Sequence, residues 1–163
     1  MADHTAPTIR RPVLLCFDGS DNAADAIAEA GTLFFGRPAL VLMAWEPVGN
    51  LEVYDPATIV TTPLTDVASR VLDLEEIEAE VAQDVAQRGV KLAAAAGFIV
   101  EGRAVKGRAS HVICDVAQEI DAAAIVMGAR GHLRLGSLRL GSVSSVVLAD
   151  AHRPVLIVPA SRD

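Results

Sequence analysis

The residues best suited to chemistry lie in one stretch, Gly128-Ala-Arg-Gly131, followed by nine residues and then Gly141-Ser142. Glycines let a backbone turn through positive φ and let its amides approach a ligand closely. A serine at a helix start adds a hydroxyl where the helix dipole favours anions. A loop of this make-up can cradle phosphates. Charge points the same way: between Ala122 and Ala149 there is no Asp or Glu, whereas Arg130, His132, Arg134 and Arg139 fall inside the loop. In a chain of formal net charge −7 this is a local reversal of sign. Two glycines alone would as readily make an ordinary turn with solvated arginines; the spacing, the helix start and the cleared acids together favour an anion site. An immediate echo, Leu133-Arg-Leu-Gly-Ser137 by Leu138-Arg-Leu-Gly-Ser142, leaves the register of the loop ambiguous.

The loop is not a standard phosphate loop. Neither G-x-x-x-x-G-K-[ST] nor a G-x-G-x-x-G after the first strand is present, which removes the main support for GTPase, common ATPase and dinucleotide readings. A second candidate is Asp18, in the Asp18-Gly19-Ser20 segment that ends the first apolar run. Its carboxylate could accept hydrogen bonds from a base or ribose, or help hold a metal through water. The alternative is an Asp that caps a turn. His111 and His132 are the nearest acid/base candidates, but no paired carboxylate or nucleophile constellation accompanies them, so no catalytic residue is assigned. Cys16 and Cys114 lack C-x-x-C spacing and read as small apolar side chains, with no disulfide and no metal site implied.

The elements that must position these residues follow from the apolar pattern. Short β-rich runs alternate with amphipathic stretches, the signature of βαβ units and a mostly parallel sheet. Strands are expected at Val13–Phe17, Ala39–Trp45, Phe98–Val105, Ala123–Met127 and Val155–Val158. Helices are expected at about Asp21–Phe35, Asp66–Ala96, Ala109–Ile120 and Ser142–Asp150. The first should bury Ala23, Ile27, Ala30 and Phe34, with Ser20 or Asp21 as N-cap. The longest should turn Val67, Val71, Leu74, Ile77, Val81, Val85 and Leu92 toward the core, with Gly89 as a kink; the third should bury Val112, Ile113 and Val116. Glu46 to Thr65, with four prolines or glycines and no period, reads as a long connection. In an open parallel sheet ligands bind at the carboxyl ends of strands where the order reverses, so if strands one and four are neighbours, Asp18 and Gly128 face one crevice.

Composition sets the outer limits. The 163 residues suit one compact domain: residues 11–160 read as that domain, and 1–10 as a flexible tail. Apolar residues make up 52% and aromatics 4%, so the interior must be built from Ala, Val, Leu and Ile. With 21 acidic and 14 basic residues, general nucleic-acid binding is not expected. No apolar run is long enough for a signal peptide or a membrane span, and a cytoplasmic protein is expected.

The chain resembles the universal stress protein family over almost its whole length. The resemblance is carried by Val13-Leu-Leu-Cys-Phe-Asp-Gly-Ser20, Val105-Lys-Gly107, Ala124-Ile-Val-Met-Gly128, Pro154-Val-Leu-Ile-Val158 and above all the G-x2-G-x9-G-[ST] signature of ATP-binding members, met by Gly128, Gly131, Gly141 and Ser142. It implies an α/β fold, a five-stranded parallel sheet in the order 3-2-1-4-5 with helices on both faces, of the adenine nucleotide alpha hydrolase-like type. It implies ATP as ligand, with Mg2+ an optional companion, and a regulatory binding module in stress response. By similarity Asp18 would face base and ribose, the backbone around Ala44 would pack on adenine, and Met127 and Gly128 would line the nucleotide. Gly131, Gly141, Ser142 and Val143 would hold the phosphates, with Ser144 a secondary candidate. Cys16, where the family often has a small residue or proline, and Ala44, where valine is frequent, depart from the more familiar versions. AMP or cyclic AMP is the alternative ligand, and slow ATP hydrolysis or autophosphorylation the alternative activity. The resemblance also favours a homodimer, and the short apolar edge strand near Pro154–Pro159 gives it a means, by pairing with its copy. A pyrophosphatase or adenylyl transferase would need a richer phosphate loop after strand one, and a receiver-like domain would need a phosphoacceptor Asp near strand three.

Overall fold

The computed structural model describes residues 10–47, 64–129 and 140–160, with side chains of the long helix described from residue 72 onward. Residues 1–9 of the expected tail, most of the Glu46–Thr65 connection, and the stretch 130–139 with Gly131 lie outside the described residues.

The elements run β1 (Val13–Cys16), α1 (Asp21–Phe34), β2 (Pro38–Trp45), α2 (Leu64–Ala95), β3 (Ile99–Lys106), α3 (Ala109–Glu119), β4 (Ala124–Gly128), α4 (Ser142–Asp150) and β5 (Val155–Val158). All strands are parallel, and their order is β3-β2-β1-β4-β5. The chain therefore fills the sheet outward in one direction through β2 and β3, then returns to the other side of β1 with β4. That reversal puts a topological switch between β1 and β4, the place where an open α/β sheet leaves a crevice beyond its strand ends.

Two apolar layers hold helices to the sheet. On one face Val13, Leu15 and Phe17 pack with Ala23, Ile27 and Ala30 of α1 and Ala93 of α2. On the other, Leu14, Leu42 and Ile125 pack with Val112, Ile113 and Val116 of α3 and Val147 of α4. Alternate residues of β1 thus serve opposite layers, and Val13, Leu14 and Leu15 are fully buried, as a central strand covered on both sides requires. Helix α1 begins where Ser20 accepts a hydrogen bond from the Ala23 amide (3.2 Å), the N-cap expected from the sequence.

Helix α2 corrects the expected facing. Val85 packs against the first core layer as expected, and Val67 and Val71 lie outside the described side chains, but the buried residues are Ala82, Ala86, Gly89 and Ala93, whereas Leu74, Ile77, Val81 and Leu92 are exposed. The reason is space. A Cβ built on Gly89 would stand 2.7 Å from both Phe17 and Val41, so the line of closest contact admits only small residues, and the branched Val85 and Val90 pack beside it. Gly89 therefore provides close approach, and one helix of 32 residues continues through it. At ~1.5 Å per residue that helix is about 48 Å long, against about 26 Å for the eight-residue β3. Its N-terminal part consequently extends past the carboxyl edge of the sheet. Lys106, at the end of β3, reaches Glu75 there in an ion pair.

Candidate functional site

The site is built where three neighbouring strands end. Cys16 is level with Leu42 on β2, and Leu15 with Val126 on β4. Continuing both registers brings Asp18 level with Ala44 and just beyond Gly128, on strands about 4.8 Å apart. Ala44, Asp18 and the Gly128-Ala129 backbone therefore share one ledge at the switch point.

Asp18 is held by its own turn. Its Oδ1 accepts the Ser20 amide hydrogen (3.0 Å), and Gly19 between them takes φ +85°, a conformation that favours glycine. The turn reading and the ligand reading are thus compatible: the Ser20 amide fixes the carboxylate at the strand end. Above this turn sits Arg88 of α2, whose guanidinium nitrogen is 3.1 Å from where a Gly19 Cβ would be.

Gly128 is required for a different reason from the one glycines usually suggest. It does not adopt positive φ, and neither does Gly141, whose φ is −61°. Instead, a Cβ on Gly128 would meet the Asn22 side-chain oxygen at 2.7 Å and its Cγ at 2.8 Å. Asn22, in the first turn of α1, is buried and donates from Nδ2 to the Val158 carbonyl at the end of β5 (3.2 Å). The same carbonyl accepts the Ala129 amide (2.8 Å), and the Ala129 carbonyl accepts the Gly141 amide (2.7 Å). These bonds clamp both stems of the loop, at Ala129 and Gly141. Sequence reasoning missed Asn22, whose only local signal is a polar residue in the first turn of a helix that follows the strand-one turn.

The remaining candidates divide by what they can offer. Gly141 is the N-cap of α4, which has no side-chain cap and no acidic residue in its first turn. Amides of that turn are thus left for an outside acceptor, and the helix dipole favours an anion there. Ser142 is exposed at the first helical position and Val143 half-buried against the second core layer, so Val143 can contribute only its amide. Ser144 is buried, and its hydroxyl donates to the Gly128 carbonyl (3.0 Å), tying α4 to β4. Met127 is buried in the core layer, which leaves its main chain to line a ligand; Ala44 is half-buried against the same layer. Helix α3 also lacks a side-chain cap, but it follows β3 at the sheet edge, away from the switch.

Cys16 stands beside the site on β1. Burial first, and then the Asp18 carboxylate and Cys114, push its thiol up to about 12. Burial, together with Asp150 and Asp115, also raises Cys114. Both thiols are free, and both pack against the second core layer. The residues that fit a nucleotide are therefore the uncapped α4 amides for its phosphates and the Asp18–Ala44 ledge for its nucleoside.

Comparison with known proteins bears on the family and the fold. The model of the universal stress protein family matches residues 10–159. A universal stress protein from the QAH/OAS sulfhydrylase 3' region of Thermus aquaticus is 35% identical over 150 residues, 91% of this chain and 98% of that one. The universal stress protein UspA from Lactobacillus plantarum has a similar fold, with TM-score 0.68 at 22% identity over 91% of this chain and 98% of its own. The universal stress protein from Archaeoglobus fulgidus in complex with dAMP is 26% identical over the same shares, 91% and 98%, with TM-score 0.58.

Proposed function

The chain belongs to the universal stress protein family and has its adenine nucleotide alpha hydrolase-like fold, and from that premise we propose that it is an ATP-binding regulatory module. One observation carries the reading. The acid-free, uncapped N-terminus of α4 closes a glycine loop that starts on β4, directly across the switch point from Asp18 on β1.

In this reading the Ser142 and Val143 amides and the Ser142 hydroxyl hold phosphate oxygens, joined by the backbone at Gly131, while Gly141, its own amide bonded to the Ala129 carbonyl, sets the helix start beside them. Asp18 accepts hydrogen bonds from ribose or base, and the Ala44 backbone packs on adenine. The Met127-Gly128 main chain lines the floor. Ser144 acts indirectly, by fixing α4 against the Gly128 carbonyl. Mg2+ would travel with the phosphates. The phosphates would supply the negative charge that the α4 dipole favours, between loop stems held at Ala129 and Gly141.

The role is a ligand-dependent module of the cytoplasm, with slow hydrolysis as the activity to measure on the same complex. No helix among the described residues is long and apolar enough to cross a membrane. We further propose a homodimer through β5, a short apolar strand at the sheet edge that pairing with its copy would protect. AMP or cyclic AMP is the second reading, favoured by the dAMP complex of the Archaeoglobus relative.

The test is the purified protein itself. Heat-released ligand identified by mass spectrometry should be an adenine nucleotide. Protein that carries none and gains none on incubation with ATP, AMP or cyclic AMP would contradict the reading.

A further inference from the structure

Helix α2 inverts the usual arrangement of an amphipathic surface helix. Its inner face is Ala82, Ala86, Gly89 and Ala93, while Leu74, Ile77 and Val81 are 48%, 56% and 58% exposed. At about 100° per residue these three fall within about 60° of one another, roughly 120° around the helix from the buried face. They form a seam at i, i+3 and i+7, the spacing that receives a second helix. Core packing does not account for them: the contacts with the sheet are made by Ala82, Ala86, Gly89 and Ala93, with Val85 and Val90 packed beside them.

Charge identifies what would cover the seam. Asp73, Glu76, Glu80 and Asp84 are all exposed and line one flank of it, about 90° from its centre. From Val71 to Gln87 the helix carries no Lys or Arg at all. A second α2 laid antiparallel on the first about a two-fold axis would bring these acidic flanks together, and like charges across a helix pair oppose association. Laid parallel, it would likewise offer these acids no Lys or Arg between positions 71 and 87. The complementary occupant is therefore a different helix, apolar on one face and rich in Lys or Arg beside it. The seam runs along the side of α2 that, two turns further on, carries Arg88 above the Asp18 turn, and it uses no residue of the nucleotide site or of β5.

From this the geometry points to the outer face of α2 as a docking site for a basic amphipathic helix of a partner protein. The seam supplies the apolar contact, and the row from Asp73 to Asp84 sets the orientation of the incoming helix.

The probe is a designed 18-residue helical peptide with leucines at i, i+3, i+4 and i+7 and lysines on both flanks, titrated by fluorescence anisotropy against the full chain. A twin peptide with glutamates in place of the lysines is the charge control. The lysine peptide should bind at micromolar concentration and the glutamate peptide at least 10-fold more weakly. Leu74→Ser/Ile77→Ser/Val81→Ser should lose at least 10-fold in affinity for the lysine peptide. A second variant, Glu76→Gln/Glu80→Gln/Asp84→Asn, keeps the seam and should lose several-fold, together with most of the salt dependence. Circular dichroism should show both variants folded, because every altered residue is exposed. Equal binding of the lysine peptide to wild type and both variants would overturn the proposal. So would sedimentation showing that the wild-type chain self-associates through this face in a way that Ile77→Ser abolishes.

Discussion

Gly128 and Asn22 are packed so closely that a single methyl group does not fit between them, its carbon falling 2.7 Å from the asparagine oxygen. The contact joins the end of β4 to the first turn of α1, and through Asn22 to the Val158 carbonyl of β5. Gly128→Ala should therefore destabilise the fold by about 1–3 kcal/mol, the usual cost of overpacking a tight site. It should also weaken nucleotide binding, because the loop stems move. Asn22→Ala removes the obstacle, so the double variant should lose less stability than the sum of the two single changes in urea unfolding. Strict additivity would mean that the contact does not govern the glycine.

The two serines at the start of α4 should separate cleanly. Ser144→Ala breaks a buried hydrogen bond to the Gly128 carbonyl and should cost about 1 kcal/mol of stability. Ser142→Ala removes an exposed hydroxyl at the helix start and should leave the melting temperature within a degree or two, while lowering ATP affinity several-fold. Calorimetric melting and ATP titration of both variants check the pair.

Asp18 tests the nucleoside end. Asp18→Asn keeps an oxygen that can accept the Ser20 amide hydrogen, so the turn should survive and the melting temperature should change little. It replaces an acceptor-only carboxylate by a group that also donates, and adenosine nucleotides should bind roughly 10-fold more weakly, in line with a charge-assisted hydrogen bond. Asp18→Ala should lose both the turn and the ligand contact.

Cys16 makes stability depend on pH at the alkaline end. Its thiol is held protonated to about 12 in the fold, while the unfolded chain ionises near the ordinary value of 9.0, so the folded state binds more protons between those values. The stabilisation is complete below pH 9 and is lost as pH rises through the folded value, at up to roughly 1.4 kcal/mol per pH unit. Urea unfolding of wild type should show this fall relative to Cys16→Ala. For the same reason iodoacetamide at pH 8 should label Cys16 only after unfolding.

Much of this was legible from pattern. Continuous apolar runs located β1, β2, β4 and β5, the central ones because strands covered on both faces need no polar alternation; β3, at the sheet edge, was legible despite Glu101 and Arg103 within it, and Ser20 announced the start of α1. Other features depended on distances that periodicity does not carry. Leu74, Ile77 and Val81 repeat at helical spacing, but that part of α2 extends past the carboxyl edge of the sheet, and farther along the approach of Gly89 to Phe17 and Val41 keeps the line of closest contact for small residues, with Val85 and Val90 beside it. Gly128 was recognised, but for its conformational freedom; its partner Asn22 is 106 residues away in sequence (128 − 22), and only the fold brings the two together. Gly131, the remaining member of the signature, lies outside the described residues, so its role rests on the test below.

That test is a calorimetric titration of nucleotide-free protein with ATP, alongside AMP, cyclic AMP and GTP, for the wild type and Gly131→Glu. The wild type should bind ATP more tightly than GTP, and a bulky acidic side chain at position 131 should abolish ATP binding by blocking the backbone's approach to phosphate. Undiminished ATP affinity in Gly131→Glu, or no binding of any adenine nucleotide to the wild type, would contradict the proposed ATP site.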